Sequence, residues 1–185
     1  MIGFPIGLLY CNAGEWFIHK YVLHGAERGK KKGTFWSFHF HEHHRNARKH
    51  EFHDPDYARS LFGWHAQTKE TLGVVMLAVV HLPLLPVFPF FASAVVFSAA
   101  NYYRIHKRAH RDPEWAKKHV PWHYDHHMGV NQDCNWGVTS PLFDHLFGTR
   151  EPFLGTEEEV RRSTKKPRAA SPAGSSLEPA VPVAP

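Results

Sequence analysis

Residues 72–100, LGVVMLAVVHLPLLPVFPFFASAVVFSAA, contain no Asp, Glu, Lys or Arg, and the only ionisable side chain among them is His81. About 20 such residues suffice to span a bilayer as a helix, so this block constrains the chain more than any other feature. Pro83, Pro86 and Pro89 interrupt its middle. Proline lacks a backbone donor and clashes with the preceding helical turn. The block therefore predicts a helix, a turn near residues 83–89 and a second helix. Each arm is short for a full crossing, which suits a re-entrant hairpin; a buried helical hairpin is the alternative. Residues 1–18 are mostly apolar, with Glu15 as the one charge. They lack the charged leader and small-residue cleavage site of a signal peptide. They read as the end of a membrane helix whose natural start lies further upstream.

Histidine is the second unusual feature: 17 residues in a chain of 185, against 17 Asp plus Glu. Four short patterns hold most of them. His19 and His24 are separated by four residues. HFHEHH places His39 three spacers before the pair His43 and His44. His106 and His110 are separated by three residues, and HYDHH gives His123, two spacers, then His126 and His127. Residues three or four apart share one face of a helix. His106 with His110, His39 with His43, and His123 with His126 and His127 are thereby expected to point together. Adjacent histidines diverge by roughly 100° at 3.6 residues per turn, so each pair can serve two ions or two sides of one. The five-residue step from His19 to His24 suits a helix end or an unwound turn. Neutral imidazole suits iron, zinc, copper and nickel. Two ions with about five imidazoles each would use ten histidines, the number the four patterns supply. Isolated histidines such as His65 and His81 read as ordinary surface or core residues.

Length predicts one domain. Formal charge is +5, with basic runs at residues 28–32, 45–49, 104–111 and 117–118. Such runs fit an anionic membrane surface, and no aromatic-basic module points to nucleic acid. Two cysteines, Cys11 and Cys134, form no disulfide framework and suit a reducing compartment. Residues 1–153 are expected to form a membrane domain, and residues 154–185 a disordered Pro/Ala/Ser-rich tail. Histidines occur on both sides of the apolar block. If they share one site, the block crosses the membrane an even number of times or not at all. Positive charge on both sides places the histidine motifs in the cytoplasm. The expected fold is all-α: an integral membrane helical bundle with a cytoplasmic histidine-rich metal-binding cap.

The motif order resembles the fatty acid hydroxylase/sterol desaturase superfamily, which includes carotenoid hydroxylases. EWFIHKYVLHG is similar to its first box, HFHEHH to its second, HYDHHMG to its last and SPLFDHLFGT to its closing segment. The resemblance covers residues 13–149. It departs in the second box, where His41 is an additional histidine and Phe40 falls on the family's first ligand position. His39 is preferred there for its relation to His43, with His41 as runner-up.

The resemblance implies a diiron enzyme that uses O2 to hydroxylate a lipid of the fatty acid, sterol or carotenoid type. Desaturation by the same site is the alternative. The implied metal ligands are His19, His24, His39, His43, His44, His106, His110, His123, His126 and His127. The implied cofactors are two iron ions, which zinc is able to replace in purified protein. Because no redox domain is fused, a separate ferredoxin- or cytochrome-type donor is also implied. Glu15, Glu42, Asp125, Asn131, Asp133 and Asp144 lie near the boxes and are candidates to orient the ligand rings. His145 is left out of the ligand set. Trp122, Tyr124 and Trp136 are candidates for a substrate entry. Two other classes compete. A non-enzymatic metal binder predicts loose histidine-rich runs rather than fixed spacings. A zinc hydrolase needs about three protein ligands.

Overall fold

The computed structural model describes residues 2–165, and every regular element among them is helical. Helix α1 (Gly3–Ile18) runs directly into a π-helical turn at His19–Leu23. A second π-helical stretch, His39–His44, passes without a break into α2 (Arg45–Lys49). A 3-10 turn at Pro55–Ala58 precedes α3 (Ala66–His81), and α4 (Pro89–Arg111) is the longest helix. Then come α5 (Pro113–His119), α6 (Pro121–Met128), α7 (Leu142–Leu146) and α8 (Glu157–Lys165).

Helix starts follow proline chemistry. Pro89, Pro113 and Pro121 each open a helix, where the missing N–H is not needed and the fixed φ is already helical. Asp112 caps α5 by accepting from the Trp115 N–H at 3.0 Å. The prolines also stop α3: its last residue is His81, and a tight turn at Leu82–Leu84 follows.

This division overturns the expected membrane bundle. Among the described residues no helix is long and apolar enough to cross a membrane. Helix α3 uses its first turns on Gln67, Thr68, Lys69 and Glu70, and only residues 72–81 of the apolar block lie in it. Helix α4 holds residues 89–100 of the block and then turns polar as NYYRIHKRAHR. At ~1.5 Å per residue, each apolar arm covers roughly 15–18 Å of the ~30 Å hydrocarbon core. The integral-membrane placement with cytoplasmic histidine motifs falls with it. The two histidine sets meet for a simpler reason: α3 and α4 fold back on each other through the proline turn. Met76, Val79, Val80, Val87, Phe88 and Phe90 stay exposed around that turn.

Helix α1 packs along α4. Gly7 permits the approach, since a Cβ there would stand 2.7 Å from Ala94 Cβ and 3.0 Å from the Phe91 carbonyl. Tyr10 adds a 3.0 Å hydrogen bond to His81. At the other end of α4, Phe52, Ala109, Ala116, Val120, Tyr124 and Phe153 form an apolar cluster. Between these two regions the interior is filled with imidazoles. Part of the tail expected from residue 154 is instead helical: α8 holds Glu157–Lys165, and Arg162 donates to the Met128 carbonyl at 3.1 Å. Residues 166–185 of that tail lie outside the described residues.

Two substitutions in α1 separate this contact from helix propensity. Gly7→Val should destabilise the fold by about 1–3 kcal/mol through overpacking against α4. A Cβ on Gly14 has nothing within 4 Å, so Gly14→Ala should be neutral or stabilising by up to ~1 kcal/mol. Chemical denaturation of both variants checks the pair.

Candidate metal centre

Nine histidines collect into two buried groups. His19, His24, His39, His44 and His126 form one, and His43, His106, His110 and His127 the other; within each, the potential ligand atoms lie within 4.8 Å of one another. All nine are at most 3% exposed. The groups adjoin: the His44 and His127 rings are 4.1 Å apart. Each adjacent pair is split between them. His43 and His127 serve one group, His44 and His126 the other.

The π-helical turns explain the membership. His24 N donates to His19 O at 3.0 Å, an i→i+5 bond that brings residues five apart onto one face. The same widening of HFHEHH puts His39 with His44, and His43 faces the second group. The expected pairing of His39 with His43 is therefore replaced by an i,i+5 relation. Helix α4 is regular, and His106 and His110 do share a face. On α6, His126 and His127 part company. His123 borders the second group with its Nε2 3.0 Å from His110 Nε2, outside the four atoms that converge. His41 points away and bonds the Lys30 carbonyl at 2.8 Å. His81 is tied to Tyr10, His65 to the Ser60 carbonyl at 2.8 Å, and His145 is exposed.

The outer ring nitrogens are anchored. His19 Nδ1 lies 2.6 Å from the Trp136 carbonyl, His126 Nδ1 2.6 Å from the Cys134 carbonyl and His110 Nδ1 2.9 Å from the Phe52 carbonyl. His43 Nδ1 lies 2.8 Å from Asp54 and His106 Nδ1 2.6 Å from Glu70. A carbonyl or an ionised carboxylate only accepts, so Nδ1 carries the proton in His19, His126, His110 and His43 and their Nε2 atoms turn lone pairs inward. His44 Nε2 then faces His126 Nε2 at 3.0 Å and His24 Nε2 at 3.1 Å, and His19 Nε2 faces His39 Nε2 at 2.9 Å. One ring N–H is unable to satisfy two neighbours, and the Nε2 atoms of His43, His106 and His127 have no hydrogen-bond partner. A cation satisfies them all. Two ligands at right angles, each ~2.1 Å from an ion, would sit about 3 Å apart, which is the separation found. The buried histidine clusters can thus bind metal ions.

Local backbone strain aims the anchors. Asn135 sits at φ 55° between Cys134 and Trp136, and this left-handed kink turns both neighbouring carbonyls toward the centre. Its side chain accepts from the Glu151 N–H at 2.8 Å and donates to the Glu151 carbonyl at 2.8 Å. Phe52, at φ 77°, supplies its carbonyl to His110 while its ring stacks on the same imidazole at 4.4 Å.

Among the carboxylates named from sequence, only Asp133 approaches a ligand ring, 3.4 Å from His24 Nδ1. Asp144 acts one step back, accepting from the Trp136 and Gly137 N–H groups at 2.8 and 2.7 Å. Glu15 accepts from the Thr139 N–H at 2.8 Å, Glu42 pairs with Lys69, Asp125 with Arg150, and Asn131 donates to Glu151. Asp54, Glu70 and Tyr57 were missed. Tyr57 bonds Glu70 through its hydroxyl and stacks on His110. The sequence offered one signal for Glu70: a carboxylate two residues before the apolar block. Trp122 donates to the Val138 carbonyl at 3.0 Å, and Trp136 and Tyr124 are buried. A surface hollow lined by Lys32, Phe40, His41, Arg45, Arg48 and Gln132 reaches His44 instead.

Burial is the main cause that holds His19, His24, His39, His44, His106, His110, His123, His126 and His127 below the usual imidazole range, and neighbouring imidazoles add to it. Burial also lifts the Glu70 carboxyl to about 8 and the Glu15 carboxyl to about 7. Burial alone would raise Asp54 too, but the His43 ring and the Asp56 N–H bring it below its ordinary value. A cation on His106 would draw the Glu70 proton off.

No family model matches the chain, and no curated protein or solved structure matches it either.

On acidification the unfolded chain protonates these nine histidines near 6.5, while the folded chain resists. Their stabilisation is therefore present above about pH 6.5 and lost as pH falls. Glu15 and Glu70 act oppositely, favouring the fold at low pH, but they are two groups against nine. Chelator-treated protein should show a steep fall in Tm between roughly pH 7 and 5, followed by circular dichroism. Asn135→Ala should lose about 2–3 kcal/mol, combining left-handed strain for a Cβ residue with buried polar groups left unpaired. Urea unfolding monitored by tryptophan fluorescence measures that loss.

Proposed function

We propose that the two histidine groups hold two iron ions and that the chain is an O2-dependent oxidoreductase acting on an apolar, lipid-like substrate, by hydroxylation. The observation that carries this reading is the convergence of inward-facing imidazole lone pairs into two adjoining groups, with His43-His44 and His126-His127 each contributing to both. A single catalytic zinc with about three protein ligands needs no such pair of sites. The order of the histidine motifs, which resembles the fatty acid hydroxylase/sterol desaturase superfamily, supports the reaction class. The exposed apolar side chains around the α3–α4 turn support an apolar substrate.

Bound iron would supply O2 activation, with two electrons from a separate donor and two protons from solvent, one oxygen atom going into the substrate C–H bond to give the alcohol and the other leaving as water. The chain's own residues do the rest. His19, His24, His39, His44 and His126 would hold one ion, and His43, His106, His110 and His127 the other, with His123 alongside. Asp54, Glu70 and the carbonyls of Phe52, Cys134 and Trp136 fix the ring tautomers. Phe52 and Tyr57, stacked on His110, keep water from that side. Arg104, Lys107, Arg108 and Arg111 line a groove on α4, the helix that carries His106 and His110. This placement supports an acidic ferredoxin- or cytochrome-type donor, docked on the helix that carries two of the ligands.

The test is lipid mass spectrometry under isotopically heavy O2, in a host offered fatty acids, sterols and carotenoids. The expected product carries one heavy oxygen and is absent with His126→Ala or His127→Ala. A product lacking two hydrogens and gaining no oxygen would reassign the chain as a desaturase. Iron-loaded protein that forms no product with any of these lipids and a reduced donor would leave a non-enzymatic metal binder.

A further inference from the structure

The two groups differ in what stands behind their ligands. Behind the second group are two carboxylates, Asp54 on His43 at 2.8 Å and Glu70 on His106 at 2.6 Å. Their side chains are 0% and 8% exposed, and among the described residues neither is paired with a lysine or arginine. The other contacts to these carboxylates are neutral donors: the Asn46 amide and the Asp56 N–H on Asp54, and the Tyr57 hydroxyl on Glu70. Behind the first group are two neutral carbonyls, of Trp136 and Cys134. Its one carboxylate, Asp133, is 53% exposed, stands 3.4 Å from His24 and is already neutralised by Lys30 at 2.6 Å.

On the two-ion reading, we propose that the groups load in a fixed order: the His43, His106, His110 and His127 group takes the first divalent ion, and the His19, His24, His39, His44 and His126 group takes the second, more weakly. A dication gains more beside two buried acidic side chains that lack a lysine or arginine partner than beside neutral carbonyls. The first group presents no uncompensated negative charge to its ion. Preorganisation points the same way. Three of the four rings in the second group are locked through Nδ1 (His43, His106 and His110), against two of the five in the first (His19 and His126). The count of imidazoles does not reverse the order, because His123 stands 3.0 Å from His110 Nε2 and can complete a fifth position. Once the first ion is seated, its charge opposes a second in the adjoining group, whose His44 ring centroid lies 4.1 Å from that of His127.

The experiment is a Co(II) titration of the chelator-stripped full chain, with visible ligand-field absorption following coordination and equilibrium dialysis giving stoichiometry. Two equivalents should bind in separate steps, with affinities at least tenfold apart. Glu70→Gln and Asp54→Asn should each weaken the tighter step by about 10–100-fold and leave the weaker one in place. His126→Ala should remove the weaker step only, and Asp133→Asn should leave the tighter step unchanged. Circular dichroism identifies any variant that fails to fold, and the two carboxylate variants stand in for each other. Equal affinities, loss of the tighter step in His126→Ala, or no effect of either carboxylate variant on the tighter step would overturn the loading order. Saturation below two equivalents would overturn the two-ion reading together with it. A missing lipid product alone would touch neither.

Discussion

Everything in this fold is arranged around imidazole ring nitrogens that face one another in its interior. Five Nδ1 atoms are tied outward to carbonyls and carboxyl groups, and the ligand nitrogens of nine histidines converge inside in two groups. An interior of that kind gives little of the dispersion and desolvation gain that an aliphatic core supplies. The apolar packing is displaced to the sides, to the α1–α4 contact and to the cluster around Phe52 and Tyr124. Folding and metal affinity are therefore linked. The elements that carry ligands come from all over the chain, and only the groups they form at the centre require all of them at once.

The spacing of the histidines made their clustering legible, and the proline triplet marked the turn that brings the two halves together. Which histidine belongs with which was not legible. A regular helix assigns His39 to His43, whereas the π-helical stretch assigns it to His44; an extra residue in a helical turn leaves no mark in the residue types themselves. The partners of the ligand rings were hidden for a related reason. Three of the five anchors are backbone carbonyls, which every residue has, and their direction depends on the left-handed residues Phe52 and Asn135. Asp54 lies ten positions beyond His44 in a loop, with nothing local to tie it to His43.

The apolar block misled because length was counted across prolines. Hydropathy alone joins residues 72–100 into one span. The chain instead cuts them into two arms and gives α3 a polar first turn in which Lys69 and Glu70 are buried. That same turn supplies Glu70 to His106 and Lys69 to Glu42. One short segment thus both shortens the apolar helix and furnishes part of the polar interior.

The two doublets, His43-His44 and His126-His127, act as struts. Consecutive Cα atoms are held ~3.8 Å apart by the peptide bond, so wherever a doublet contributes one ring to each group, covalent geometry sets the gauge between the groups. Two such struts, on separate helical segments that approach each other at the His44 and His127 rings, leave little freedom for the groups to separate or shear. Loops around the centre are then free to drift in sequence or to breathe without changing the distance between the ions it would hold.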